Sequence, residues 1–210
     1  MIAVLDFGMG NIHSCLKAIS RYTDSYKLVD SPEDLKNVSG IILPGDGAFE
    51  KAMKNLEAKG FVEAVTEKVN SGVPVFGICI GYQLLFQDSD ETTKEGMLVN
   101  GFGFLKGRIR RFKGKKLKVP HMGWNRLVFE NKKQNKILQG ISNGTYMYFI
   151  HSYRPIEVEF KAVVASCSYY EEKFPVVVEK ENIFGTQFHP EKSDRAGLKI
   201  LENFIELTKT

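Results

Sequence analysis

The sequence predicts an α/β protein: a doubly wound, mostly parallel sheet with flanking helices, plus a β-rich region in the second half. Three observations carry this prediction. Short apolar runs alternate with segments of helical period over the first half of the chain, the pattern of parallel strands joined by helical crossovers. Each run ends in a glycine-rich turn, at Gly8-Met9-Gly10, Pro44-Gly45-Asp46-Gly47 and Gly77-Ile78-Cys79-Ile80-Gly81. Beyond Phe86 the period changes, and from Gly101 to about Val178 alternating residues favour strands.

The elements follow in order. Ile2 to Asp6 reads as a strand, then a helix from about Asn11 with Ile12, Cys15, Leu16 and Ile19 on one face. Cys15 lies on that stripe and is expected to pack in the core, whereas His13 lies off it. Tyr26 to Val29 is a second strand. Ser31-Pro32-Glu33-Asp34 places a capping serine, a proline at the first helical position and acid in the first turn. Ile41 to Leu43 is a third strand, and helices are predicted over Ala48–Lys59 and Phe61–Asn70. A fourth strand, Val73 to Phe76, leads into the Gly77–Gly81 turn, and Tyr82 to Phe86 reads as helix. Residues 88–96 are polar and acidic and read as a surface loop. Further strands are predicted at Phe104–Phe112, Leu117–Val119, Arg126–Phe129, Tyr146–Ile150 and Lys161–Ser168. Cys167 alternates with Val163, Ala165 and Tyr169 on one face, so it too is assigned to packing. Val176–Glu179 and Ile183–Gln187 close around a turn at Lys180-Glu181-Asn182. A last helix starts near Asp194, with Ala196, Leu198, Leu201, Phe204 and Ile205 facing inward.

Length and composition bound the function. A chain of 210 residues without linker-like composition is read as one domain, 1–210. No apolar run approaches membrane-spanning length, and the N-terminus reads as a strand and not as a signal peptide. Three scattered cysteines make no disulfide framework, which points to a reducing, cytoplasmic setting. The net charge of +4 is local: residues 106–118 hold eight basic residues and no acidic one, leaving the rest of the chain net negative. That distribution argues against a nucleic-acid-binding protein, and the stretch reads as a solvated β-ribbon.

The chemistry centres on Cys79. A strand, a reactive residue with glycines two positions to either side, and a helix have the form of a nucleophile elbow with cysteine in place of serine. Such a turn brings the flanking residues too close for side chains, sets the sulfur at a helix start and aims the Ile80 N–H at a forming oxyanion. A cysteine nucleophile needs a base and a group to orient that base. His189 sits at a strand end in Gly185-Thr186-Gln187-Phe188-His189-Pro190-Glu191. Proline keeps the preceding histidine extended, so Glu191, two residues on, is placed to hold one imidazole nitrogen while the other faces the sulfur. The bland alternatives are a packed cysteine and a loop histidine. Cys79, His121, His151 and His189 lack the paired short spacings of a metal site, so no metal and no cofactor are expected.

These motifs together resemble the class I, triad-type glutamine amidotransferases, with Cys79, His189 and Glu191 in the family's chain order. The resemblance spans the chain: Asp6-Phe7-Gly8-Met9-Gly10-Asn11, Leu43-Pro44-Gly45, Gly77 to Leu85, Pro120-His121-Met122-Gly123-Trp124-Asn125, Tyr148-Phe149-Ile150-His151-Ser152-Tyr153 and Gln187 to Ser193. It implies a flavodoxin-like fold and a glutaminase in which Cys79 attacks glutamine, His189 moves protons and Glu191 orients it. Ile80 and Gly47 would supply the oxyanion hole, and Gln83 and Gly45 would bind substrate.

The Pro120–Asn125 and Tyr148–Tyr153 stretches are specific to one branch, whose members pair as heterodimers with a TIM-barrel cyclase and pass it ammonia for histidine biosynthesis. By that resemblance Gly10, Asn11, Pro120, His121, Met122, Trp124, Tyr148 and His151 lie near the subunit interface. The weaker alternative for Trp124 and Tyr148 is that they are core aromatics. Asp46 stands where relatives commonly carry valine; either the loop turns normally with the carboxylate facing away, or the carboxylate points at the forming oxyanion and opposes the reaction, and the loop is expected to rearrange when the partner binds its own ligand. Three other readings stay open. A sister branch serving a sugar-amidinating synthase keeps the same motifs. A cysteine hydrolase or peptidase would leave Pro120–Asn125 unexplained, and a dead regulatory subunit would not need the intact trio.

Overall fold

The computed structural model describes residues 1–94, 96–113, 117–130 and 135–209. The apolar runs of the first half form β1 (Ile2–Leu5), β2 (Tyr26–Val29), β3 (Gly40–Leu43) and β4 (Val75–Ile78), with α1 (Ile12–Ile19), α2 (Phe49–Ala58) and α3 (Phe61–Asn70) between them. Every residue of β1, β3 and β4 is buried. The reason is visible in the side-chain alternation. Ile2, Val4, Ile42, Phe76 and Ile78 enter one core, under α1 and the C-terminal helix, while Ala3, Leu5, Ile41, Leu43 and Val75 enter another beneath α2 and α3. Strands covered on both faces must be apolar throughout, which is why they lack alternation in the sequence.

The second half adds α4 (Ile80–Leu84), β5 (Asp88–Ser89), β6 (Val99–Asn100), β7 (Arg108–Arg111), β8 (His121–Arg126), β9 (Val128–Phe129), β10 (Tyr146–His151) and β11 (Tyr153–Ile156). Then come β12 (Val163–Tyr169), β13 (Glu172–Lys180), β14 (Ile183–Thr186) and α5 (Asp194–Leu207). The main sheet has eight strands in the order β2-β1-β3-β4-β14-β13-β12-β9. It is parallel from β2 to β14 and antiparallel from β14 to β9. A four-stranded sheet, β11-β7-β5-β6, and a two-stranded antiparallel ribbon, β10-β8, flank it.

One pairing positions the site. β14 lies parallel to β4 with Thr186 opposite Ile78, so the chains leaving both strands emerge together at the carboxyl edge. Cys79 follows one strand and His189 the other. Ligands in such sheets bind beyond those strand ends.

Several boundaries differ from the sequence reading. The strand expected at Phe104–Phe112 is confined to Arg108–Arg111, where it pairs with β5 and β11. Leu117–Val119 is not a strand; pairing begins at His121 and runs through Arg126, where the expected strand was to start. Residues 88–96 are not wholly loop, because Asp88 and Ser89 pair on both sides. The serine-led turn is a 3-10 helix, Pro32–Leu35. The inner face of α5 centres on Gly197, Ile200, Leu201, Phe204 and Ile205, with Ala196 and Leu198 half-buried at its margin. In the basic stretch, Arg110 pairs with Asp88 at 2.7 Å, and Arg108 lies 3.6 Å from Asp88 and 3.7 Å from Glu157; residues 114–116 lie outside the described residues.

Candidate active site

Cys79 occupies the turn between β4 and α4 at φ +55° and ψ −101°, backbone angles rarely taken by a residue with a side chain. The glycines around it are required by space. A Cβ on Gly81 would sit 1.9 Å from the Leu43 carbonyl oxygen, and one on Gly77 would sit 2.5 Å from that of Gly81. The turn is thus pinned against β3, and the Cys79 N–H donates to the Thr186 carbonyl at 2.9 Å, locking it to β14 as well.

His189 is extended, at φ −93° and ψ 101°, and its N–H donates to the Tyr148 carbonyl at 3.1 Å. The chain then turns through a 3-10 helix, Pro190–Lys192, so Glu191 reaches back to the imidazole from a tight turn and not along an extended strand. Nδ1 of His189 lies 2.7 Å from Oε1 of Glu191, both side chains being almost fully buried. Nε2 is buried on the side of the ring that interacts with Cys79. Burial opposes charge on this ring, yet the charge of Cys79, followed by Glu191, overcomes it and raises the His189 pKa to about 10. The ring therefore holds a proton at neutral pH, ready for a leaving group.

The sulfur opens into a cavity of about 360 Å³, within the range of small-molecule sites. Of the residues singled out in the sequence, Gly47, Cys79, Ile80, Gln83, Pro120 and His151 line it. The Ile80 N–H is engaged: it donates to the Gly45 carbonyl at 3.4 Å. That carbonyl therefore stands where an oxyanion would need the donor. α4 spans only five residues, so its dipole contributes little. Asp46 is exposed at the rim of the cavity. Gly10 crosses the same loop, where an added Cβ would come 2.6 Å from the Gly45 Cα, and Asn11 caps α1 by accepting from the Ser14 N–H at 3.3 Å.

Most of the remaining singled-out residues lie elsewhere, and His151 reaches the cavity from beneath the β8–β10 ribbon. Met122 and Trp124 project outward from the β8–β10 ribbon, 58% and 53% exposed, and Trp124 meets the half-buried Tyr148 edge-on. Trp124 is therefore not a core aromatic. His121 and His151 are buried beneath the ribbon, 2.9 Å apart. Cys15 and Cys167 are buried in the core; burial raises both thiols, that of Cys167 to about 12, which keeps them protonated and inert.

Glu91 was not singled out, and it lines the cavity. Its Oε2 accepts the Phe49 N–H at 2.9 Å, capping α2 from 42 residues away, and burial raises its pKa. Glu50 holds the same loop by accepting from the Thr93 N–H at 2.7 Å and from the hydroxyls of Thr92 and Thr93. The one local signal was the acidic character of residues 88–96, which does not distinguish a site carboxylate from a solvated one. Among the described residues no group of three or more His, Cys, Asp or Glu could hold a metal ion, and no helix is long and apolar enough to cross a membrane.

Comparison with known proteins agrees with this geometry. The chain is similar to the imidazole glycerol phosphate synthase subunit HisH of Geobacillus sp. (strain WCH70), 45% identical over 99% of this chain and 97% of that protein. It is also similar to the HisH subunit of Moorella thermoacetica, 44% identical over 99% and 95% of the two chains. Among solved structures, a glutamine amidotransferase crystal structure superposes with a TM-score of 0.75 at 20% identity, covering 100% of this chain and 99% of that one. PurLQS from Thermotoga maritima superposes at 0.72 and 19% identity, covering 98% and 97%. Residues 3–207 match the family model for class-I glutamine amidotransferases, and the chain belongs to that family.

Proposed function

We propose that the cavity beside Cys79 binds glutamine and that the chain hydrolyses it, as the glutaminase subunit of imidazole glycerol phosphate synthase in histidine biosynthesis. The observation that carries the mechanism is the strained Cys79 facing a protonated, Glu191-held His189 at the end of two paired strands. The Cys79 thiolate attacks the side-chain amide carbon. His189 gives its proton from Nε2 to the departing nitrogen, which leaves as ammonia with the formation of a thioester. The now neutral imidazole takes a proton from water, whose oxygen displaces the sulfur to give glutamate and restore the thiolate–imidazolium pair. Glu191 keeps the Nδ1 side of the ring fixed throughout.

The tetrahedral oxyanion needs the Ile80 N–H, with Gly47 as the second donor. Since Gly45 now accepts from Ile80, the Pro44–Gly47 loop must turn that carbonyl away before the chemistry proceeds. This makes the resting chain slow and assigns the switch to the partner. In the cavity, Gln83 has both amide hydrogens engaged, by the Tyr153 carbonyl at 3.1 Å and by Oε1 of Gln187 at 3.0 Å. Its substrate role is accordingly that of an acceptor. Its Oε1 and the Glu91 carboxylate suit the α-ammonium of glutamine.

The relatives are named as subunits of a synthase, which implies a second subunit here. We assign the outward face of the β8–β10 ribbon to docking: Met122, Trp124 and Tyr146 are exposed on it, and Lys17, Arg21 and Lys192 lie beside Trp124 around a cavity of about 460 Å³. The partner would be a cyclase with a TIM barrel that receives ammonia through a dry route, because ammonia released into neutral water becomes unreactive ammonium. Three unpaired cysteines fit a cytoplasmic setting.

The decisive experiment measures glutamate release from glutamine by the chain alone, with the cyclase, and with the cyclase plus its nucleotide ligand. Little activity alone and a large rise with the liganded partner are expected; Cys79→Ala abolishes release in all three. High activity of the isolated chain would refute the loop switch, and an active Cys79→Ala would refute the mechanism. A deletion strain is expected to require histidine, which separates this pathway from that of a sugar-amidinating synthase.

A further inference from the structure

Two buried histidines are not used by the chemistry above. His121, on β8, and His151, at the end of β10, are directly paired in the ribbon register and are 3% and 6% exposed. Rings surround them: His121 stacks on Phe149 at 4.9 Å and on Tyr169 at 4.1 Å, and His151 packs against Phe112 and Phe174 at 5.3 and 5.5 Å. Such a setting excludes charge, and burial lowers both pKa values, to about 4 for His121 and about 3 for His151. Both rings are neutral at physiological pH, each with one donor and one acceptor nitrogen.

Their partners fix which nitrogen does which. His151 Nδ1 lies 2.7 Å from the Tyr153 carbonyl oxygen, which can only accept, so Nδ1 carries the proton. His151 Nε2 must then accept from His121 Nδ1, 2.9 Å away. At the other end, Asn125 Nδ2 donates to the Ser168 carbonyl at 2.9 Å while its Oδ1 accepts the Arg126 N–H at 2.8 Å, which settles the amide's orientation. Nδ2 therefore also donates to His121 Nε2, at 3.2 Å. One directed chain results, from Asn125 through His121 and His151 to the Tyr153 carbonyl, with every donor matched to an acceptor.

That carbonyl is also the acceptor of Gln83 Nε2. Gln83 lines the cavity, and among the described residues its amide is otherwise held by Gln187. The orientation of the one oxygen that Gln83 can present to substrate thus depends on where the histidine pair holds Tyr153. We propose that His121 and His151 are positioning residues for glutamine, acting through the Tyr153 carbonyl to orient Gln83. The ribbon that carries them presents Met122 and Trp124 on its opposite face, so the same two strands join the docking face to the glutamine cavity. The inference rests on the reading of that cavity as the glutamine site.

Two variants separate the links. His121→Phe keeps the stacked ring and removes both hydrogen bonds. His151→Asn keeps a donor for Tyr153 while losing the bond to His121. In the assembly with the partner subunit, His121→Phe is expected to raise the KM for glutamine about tenfold with kcat changed less than about twofold, and His151→Asn, whose amide still donates to Tyr153, to raise it by less. An unchanged KM, or an equal fall in kcat and kcat/KM, would overturn the proposal. Should either variant fail to fold, nitrogen-15 NMR of the intact chain decides: both rings are expected neutral with the proton on Nδ1, and the resonances of His121, which does not line the cavity, are expected to move when glutamine is added to Cys79→Ala. An Nε2-protonated ring, or no response while calorimetry records glutamine binding, would overturn it. Absence of glutamine binding to Cys79→Ala would instead strike the site reading itself.

Discussion

At Cys79 the backbone stores strain that the surrounding contacts hold in place. A positive φ on a side-chain-bearing residue costs about 1–3 kcal/mol and persists only where neighbours over-determine it. Here Leu43 and Thr186 clamp the turn from both adjacent strands. The consequence is a sulfur facing His189, whose charge is held by Glu191. Glu191→Gln leaves the geometry close to intact but removes the charge on Nδ1, so kcat is expected to fall by about 10²–10⁴-fold with a much smaller change in KM. Steady-state glutamate release checks this, and an equal loss in KM would mean that the carboxylate binds substrate. The sign of the pH effect follows. Because the folded pKa of His189 is raised to about 10, its contribution to stability is complete below the unfolded value near 6.5 and is lost as pH rises toward 10. These three residues were legible in the sequence because each is announced by its neighbours: glycines beside Cys79, and a proline between His189 and Glu191. Glu91 was not legible, since what makes it a cavity residue is a hydrogen bond to a helix start 42 residues away.

The β8–β10 ribbon divides its work by alternation. On the outward face stand Met122 and Trp124; on the inward face stand His121, Met147, Phe149 and His151. Two neutral histidines within it make a specific acid signature. Their folded pKa values lie below the unfolded value near 6.5, so their stabilisation is present above that pH and is lost as pH falls toward about 4 and about 3. Arg154 and His189 are the other charges facing His151, and both oppose its protonation. Near pH 5 the pair should therefore make unfolding take up about two protons, and His121→Phe should reduce that uptake by about one. The slope of stability against pH, from denaturant melts between pH 4.5 and 6.5, reads this directly; an unchanged slope would mean that the folded rings already carry charge. The ribbon was hard to see in the sequence. Its strand from His121 to Arg126 contains Gly123 and only partial alternation, and the register joining His121 to His151 is a contact 30 residues apart that no local pattern encodes.

Across the molecule, the parallel half of the sheet was legible because burial on both faces leaves unbroken apolar runs. The insertion of β14 beside β4, which brings His189 to Cys79, was not, because strand order is a long-range property. That order also sets where a partner can act. The proposed catalytic trio, the Pro44–Gly47 loop and the end of the ribbon all lie at the carboxyl edge of the sheet, and the exposed Trp124 borders a cavity whose wall includes Glu191. A protein docked there touches ribbon, helix α1 and the turn after His189 at once. Exposed aromatics of this kind dominate binding energy when buried by a partner, while rim cations govern approach. Trp124→Ala is expected to weaken assembly with the synthase subunit by about 10–100-fold, with no loss of thermal stability in the isolated chain, since the side chain is half solvent-exposed. Lys17→Glu or raised salt should chiefly slow association, because Lys17 is an exposed charge whose attraction is screened within about 8–10 Å. Calorimetric titration and stopped-flow mixing separate the two effects. Equal affinity for Trp124→Ala would place the partner on another face and cut the link from docking to the proposed glutamine cavity through the ribbon.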